Sequence, residues 1–176
     1  MTRMNEKFKA DYYRMTGKQW TAISIVDLFT RYDLRYLLHI RSSKHILHTV
    51  LSLRASRKYG LEILSENIGY GLYIGHAHNI NVHPAAVIGR NCNLNKGCTI
   101  GRENRGNRNG VPSVGDNVWI GSNAMVCGKI KIGNDVLIAP NAYVNFDVPD
   151  HSVVVGNPGK IYLKENATEG YIDYRL

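Results

Sequence analysis

The sequence predicts a mainly β protein, a parallel β-helix of hexapeptide turns behind an N-terminal α-helical cap. Three observations predict it. An aliphatic residue recurs at every sixth position through most of residues 68–144: Ile68, Ile74, Ile80, then Ile88, Leu94, Ile100, then Val114, Ile120, Val126, Ile132, Ile138 and Val144. Asparagine, which tolerates positive φ better than most residues, punctuates the turns at Asn91, Asn95, Asn117, Asn123, Asn134 and Asn141. Residues 1–60 break from this texture and carry helical spacing instead.

Neither a helix, with its period of 3.6, nor a strand, with its period of two, sustains a strict hexad with a small or polar residue behind each aliphatic. A β-helix does: each hexad gives a short strand and a turn, three hexads close a triangular coil, and the aliphatics stack along the axis. Twelve hexads make about four coils, a prism about 19 Å tall at about 4.8 Å per coil.

The cap, residues 1–60, shows helical spacing at Trp20, Ile23 and Val26, at Leu34, Leu37 and Leu38, and at Ile46, Leu47, Val50, Leu51 and Arg54. Covering the prism end hides strand edges and an apolar axial face that would otherwise aggregate. The β-helix is expected over residues 61–161. A tail over residues 162–176, with Tyr162, Tyr171 and Tyr174, is expected to lie on the outside of the prism.

A chain of 176 residues is one domain or a domain with an appendage. Its net charge of +8 and pI near 9.5 suit an anionic partner. The basic residues are scattered and no nucleic-acid motif occurs, so an anionic small molecule is expected and nucleic acid is not. Cys92, Cys98 and Cys127 lack paired spacing and read as buried thiols. With no run of 18 apolar residues and no signal-peptide core, the expectation is a cytoplasmic protein without membrane insertion.

Two departures from the register mark outward loops. One is a two-residue insertion between Ile80 and Ile88, beside His76, His78 and His83. The other is an eight-residue insertion between Ile100 and Val114, whose segment Arg102–Gly110 is rich in Gly, Asn and Arg and reads as an irregular, mobile excursion.

Imidazole is the side chain best matched to abstract a proton near neutral pH, and His76 sits in a turn that directs it away from the core. It is the first candidate base. Glu62, placed about one coil earlier, could accept from its other nitrogen and fix the tautomer. The three histidines also raise a zinc-hydratase reading, but His83 precedes Pro84 in a turn and no full ligand set is identifiable, so no metal is expected. The glycines belong to the hexad period and form no phosphate loop.

The segments Gly60–Ile63, Ile68–His76 (IGYGLYIGH), Ile88–Asn93 (IGRNCN), Val114–Gly121 (VGDNVWIG) and Val155–Lys160 (VGNPGK) resemble the hexapeptide-repeat acyltransferases, specifically their serine acetyltransferase branch. The resemblance implies a left-handed β-helix, a homotrimer, and acetyl-CoA bound between neighbouring prisms. It puts His76 on the family's catalytic histidine and Glu62 on the acidic residue that orients it, with one residue deleted between them. Gly121 and Ala139 fall where the pantetheine arm is contacted, Lys160 near the nucleotide end, and the loop bearing Arg102, Arg105 and Arg108 over the acceptor site.

Gly75 and Val111 stand where the serine enzymes resembled carry an Asp and a His that recognise the amino acid, and the cap is shorter than theirs. Loss of such groups typically lowers discrimination by orders of magnitude. On this basis the chain is expected to acetylate a hydroxyl of a sugar or polysaccharide precursor, as surface-polysaccharide O-acetyltransferases do. Serine O-acetylation, of cysteine biosynthesis, is the alternative, and a non-catalytic trimeric scaffold is a third reading.

Overall fold

In the computed structural model, which describes residues 5–42, 46–64 and 66–176, four helices precede thirteen strands. The helices are α1 (Glu6–Thr16), α2 (Asp27–Thr30), α3 (Tyr32–Arg41) and α4 (Ile46–Tyr59). Asn5 caps α1 by accepting from the Lys7 N–H at 2.8 Å. Gly17 ends it in the left-handed region, with its N–H on Tyr13 O at 2.7 Å.

The chain then winds upward. The first coil holds β1 (Tyr73–Gly75), β2 (Asn81–Val82) and β3 (Val87–Ile88), and the second β4 (Asn93–Asn95), β5 (Thr99–Gly101) and β6 (Ser113–Val114). The third holds β7 (Val118–Ile120), β8 (Met125–Cys127) and β9 (Lys131–Ile132), and the fourth β10 (Val136–Ile138) and β11 (Tyr143–Val144) before β12 (Ser152–Val155). Strands one coil apart pair in parallel. They make a first face of β1, β4, β7, β10 and β12, a second of β2, β5, β8 and β11, and a third of β3, β6 and β9. β13 (Lys160–Leu163) turns back and pairs antiparallel with β12.

All twelve hexad aliphatics are at most 3 % exposed. Each contributes about 1.5–3 kcal/mol by leaving water, so the stacked column is the main stabilising term of the prism. The turns follow the asparagine reading in part. Asn91, Asn117, Asn123 and Asn141 adopt positive φ, but Asp135 takes that conformation in place of Asn134, and Asn95 lies inside β4. Asn95 is buried, and its amide donates to Ile120 O at 2.8 Å.

The cap is bolted to the prism by polar groups. Arg41 of α3 donates two bonds to Asp11 of α1, at 2.7 and 3.1 Å, and two more to Ile68 O and Gly69 O at 3.0 and 2.8 Å. Asp11 in turn accepts from Leu72 N–H at 2.8 Å. Removing one member of such a buried pair typically destabilises by about 3–5 kcal/mol. Arg14, also buried, reaches Gly71 O and the Asn93 side chain.

Two of the three helical stripes read from the sequence are mostly outside the core. Ile23 and Val26 lie in a 3-10 turn and face out while Trp20 packs on Phe8 and Tyr12, and Ile46, Leu47 and Val50 of α4, a helix with no buried residue, face out beside a half-buried Leu51. The stripe of α3 is core at Leu34 and Leu37, joined by Phe8, Tyr12 and Met15 of α1.

The tail crosses the outside of the first face. Asp135 accepts from Ala167 N–H, Thr168 N–H and the Thr168 hydroxyl at 2.9, 3.1 and 2.6 Å. Tyr171 packs edge-on against Trp119, and Tyr174 against Tyr13.

Candidate active site

The edge where the first face turns into the second gathers the residues expected to carry the chemistry. Gly75 pairs with Asn95, and Leu94, Ile120, Ile138 and Val154 are rung partners in succession. The next positions along each strand, Asn95, Gly121, Ala139 and Val155, therefore stack above Gly75, and Val155 pairs with Lys160 at the top. His76 follows Gly75 at the lower end, in the left-handed region at φ 50, with its side chain exposed. Among the described residues no side chain hydrogen-bonds to that imidazole, which leaves its nitrogens for a ligand.

The positions expected to meet the donor allow close backbone approach. A Cβ on Gly121 would lie 2.5 Å from Pro140 N and 2.8 Å from Ala139 C, so only glycine fits. The Gly121 and Ala139 N–H groups are spent on the ladder, bonding Ile138 O and Val154 O at 2.8 Å each. Their carbonyl oxygens each accept one turn bond at 3.2 Å and keep a second lone pair for a ligand. The Lys160 ammonium is exposed.

Glu62 does not pair with His76. It forms a parallel bridge with Asn81, and its Oε2 accepts from Asn81 Nδ2 at 2.5 Å. The reason is register. His76 lies only 14 positions beyond Glu62, short of a full coil, and the rung above Glu62 falls on Asn81 of β2, past the His76 turn.

The segment Arg102–Gly110 is not irregular. Glu103 and Gly110 exchange backbone bonds at 3.0 and 2.9 Å in a short hairpin, closed by a 3-10 turn over Gly106–Arg108. The Glu103 carboxylate accepts from the N–H groups of Asn104 and Arg105, and Lys129 N–H bonds Arg108 O at 2.8 Å. Arg102, Arg105 and Arg108 all stay exposed on it. This hairpin springs from the edge between the second and third faces, one edge away from His76. The second face thus has His76 on one margin and the three guanidiniums on the other.

The other histidines are dispersed. His78 points into the cap, where Tyr32 Oη lies 3.1 Å from its Nδ1, while His83 Nδ1 accepts from Ala85 N–H on the opposite edge. Among the described residues no three His, Cys, Asp or Glu side chains are grouped as metal ligands. Burial pushes the Cys92 and Cys98 thiols up to about 12, far from thiolate chemistry. Sequence reasoning missed Asn81 as the partner of Glu62 and Asn95 as the filler of the edge. Neither breaks the hexad pattern, so no signal marked them.

The fold and this edge define a class. Residues 112–145 match the family described as bacterial transferase hexapeptide (six repeats), and the coil is a left-handed β-helix of that kind. Within it the chain is a homologue of serine acetyltransferases. It is 38% identical over 114 residues to the serine acetyltransferase of Staphylococcus aureus, covering 63% of this chain and 53% of that one. To serine acetyltransferase 4 of Arabidopsis thaliana it is 31% identical over 122 residues, 69% of this chain and 34% of the relative. Among solved structures, the serine acetyltransferase of Neisseria gonorrhoeae in complex with serine matches at 34% identity with a TM-score of 0.59, over 72% of this chain and 54% of that one. The chain thus spans about half or less of the length of these relatives.

These relatives overturn the expected sugar acceptor, since they are serine acetyltransferases and none of those described is a polysaccharide enzyme. The structure supplies the physical reason why Gly75 misled. A Cβ there would meet the buried Asn95 amide, so any side chain at position 75 would need that amide to move, and packing one rung above is a further reason for glycine besides the acceptor.

Proposed function

We propose that this chain is an acetyl-CoA-dependent serine O-acetyltransferase that works as a homotrimer. The alignment of His76, Gly121, Ala139 and Lys160 along one edge carries the reading. The edge rises about 19 Å from the rung of Gly75 to that of Val155, at about 4.8 Å per rung. An extended thioester can lie along it with its acetyl end at His76, its pantetheine on the Gly121 and Ala139 carbonyls, and its phosphates near Lys160. Likeness to a serine acetyltransferase solved with CoA, at 26% identity and a TM-score of 0.60, supports the donor.

His76 takes the proton from the serine hydroxyl as its oxygen attacks the thioester carbonyl carbon. The tetrahedral adduct collapses by breaking the C–S bond, and the imidazolium returns the proton to the departing thiolate, giving acetylserine and CoA. Three prisms turning their second faces to a common axis set each His76 margin beside a neighbour's hairpin. There Arg102, Arg105 and Arg108 are placed for the acceptor's carboxylate. Glu62, held by Asn81 at the foot of the same face, adds a carboxylate beside the acceptor path.

Thiol release from acetyl-CoA plus serine, with a mass gain of one acetyl group on serine, tests the reading. His76→Ala should lower kcat by about 10²–10⁴-fold with the oligomer intact. A wild-type chain that makes no acetylserine at saturating substrates would overturn it.

A further inference from the structure

We propose that Tyr32 and Tyr59 of the cap, acting through His78, are positioning residues for His76. The inference rests on the reading of His76 as the base and adds a part of the chain that does not line the edge.

The turn that carries His76 is unusual among those of the coil. Two of its non-glycine residues, His76 and Asn79, adopt the left-handed region at φ 50 and 52, a conformation that surrounding contacts must hold. Among the described residues β1 pairs only with β4 above it, with no coil of the first face beneath to supply those contacts. From above, Gly97 N–H bonds His78 O at 3.0 Å and Lys96 N–H bonds Gly75 O at 2.9 Å. From inside, Ala77 is 1% exposed and anchors the turn in the core. The remaining contacts come from the cap.

Tyr32, the first residue of α3, and Tyr59, the last of α4, stack with ring centroids 4.4 Å apart. His78 sets its ring edge-on to both, at 5.6 and 5.4 Å, and its Nδ1 lies 3.1 Å from the Tyr32 hydroxyl. Asn79 N–H bonds Tyr59 O at 2.9 Å. The Tyr32 hydroxyl and the His78 Nδ1 are thus within hydrogen-bond distance inside the aromatic stack, and the ring of His78 is held against the cap. His76 and His78 alternate along the turn: one faces the edge, the other is locked in the cap. The cap thereby sets where His76 stands.

The test reads position and rate separately, in the full chain. Hydrogen exchange of the amides of residues 76–79 should quicken at least tenfold in His78→Ala and in Tyr32→Ala. Turnover should fall at least tenfold with KM for acetyl-CoA within twofold of wild type. His78→Asn, which keeps an acceptor near the Nδ1 position, should recover most of the rate. Tyr32→Phe, which keeps the stack and loses the hydroxyl, should fall between wild type and Tyr32→Ala. Unchanged exchange in both alanine variants would overturn the proposal whatever the activity. So would quickened exchange with wild-type turnover, because the contact would then serve stability alone. A wild-type chain that does not acetylate serine would sink the proposed function, while the exchange result would still decide whether the cap holds the turn.

Discussion

At Gly121 the backbone of one coil rests on the next with no room for a side chain, because the nearest atoms, Pro140 N and Ala139 C, are themselves backbone and cannot rotate away. Gly121→Ala is therefore expected to lower stability by about 1–3 kcal/mol, the usual range for overpacking. It should also raise KM for acetyl-CoA more than it lowers kcat, since on the proposed path the carbonyl it displaces faces the donor and not the acceptor hydroxyl. Thermal melts and steady-state kinetics on the one variant separate the two effects, and an unchanged KM would remove Gly121 from the donor path. Gly75 teaches the complementary lesson. A side chain there would meet the Asn95 amide, one rung above and 20 positions along the chain, so a missing acidic group there reports packing as well as substrate. A single sequence shows the residue at each position and hides the rung partner that dictates it.

Among elements, the β-strands were legible and the polar attachments were not. Burial in a coil repeats every six residues, so the twelve aliphatics from Ile68 to Val144 declare the core directly. The tail has no period, and nothing near Thr168 points to Asp135, 33 positions away. Glu62 fails to reach His76 because the 14 positions between them fall short of a full coil, and the rung that Glu62 meets is Asn81. The helices of the cap differ, because helical spacing at Ile46, Leu47, Val50 and Leu51 says that one face is apolar without saying what covers it. Asp135 makes the tail attachment testable. Burial alone would raise its carboxyl, but bonds from the Thr168 hydroxyl, His151 and the Thr168 and Ala167 N–H groups outweigh burial and hold it down at about 2, against an ordinary 3.8. The folded protein then binds that proton less readily than the unfolded chain. The stabilisation is whole above pH 3.8 and is lost as pH falls toward 2. Asp135→Asn keeps an acceptor for Thr168 but turns an amide toward Ala167 N–H and His151, a change expected to weaken the attachment by about 1–3 kcal/mol. Its tail should be cleaved by a protease at neutral pH faster than that of wild type, which should loosen only in acid. A variant as resistant as wild type would show that the tail is held by its aromatic contacts alone.

The whole prism has three faces, and only one of them suits a neighbour. The first is crossed by the tail, with Tyr171 over Trp119 and the Asn93 amide on Tyr171 O at 3.1 Å. The third carries the exposed Lys131 on β9. The second presents an outward column of Asn81, Thr99, Met125 and Tyr143 in successive rungs, without a charge from Asn81 upward. Depletion of charge is what marks the centre of a protein interface, and Met125, 44% exposed in the middle of the column, stands at that centre. The same face lies between His76 and the arginine hairpin, so in the proposed trimer packing three copies on it would both bury the column and complete each groove. Light scattering should give wild type the mass of three chains. Met125→Arg should give one, because a trimer of this variant would bury three cations together at the axis. Acetyl transfer should fall with the trimer, while the coil, whose core Met125 does not enter, keeps its melting transition. Lys131→Glu on the third face should leave mass and rate unchanged. If Met125→Arg stays trimeric and active, the second face is not the shared one and the groove between His76 and a neighbour's hairpin does not exist.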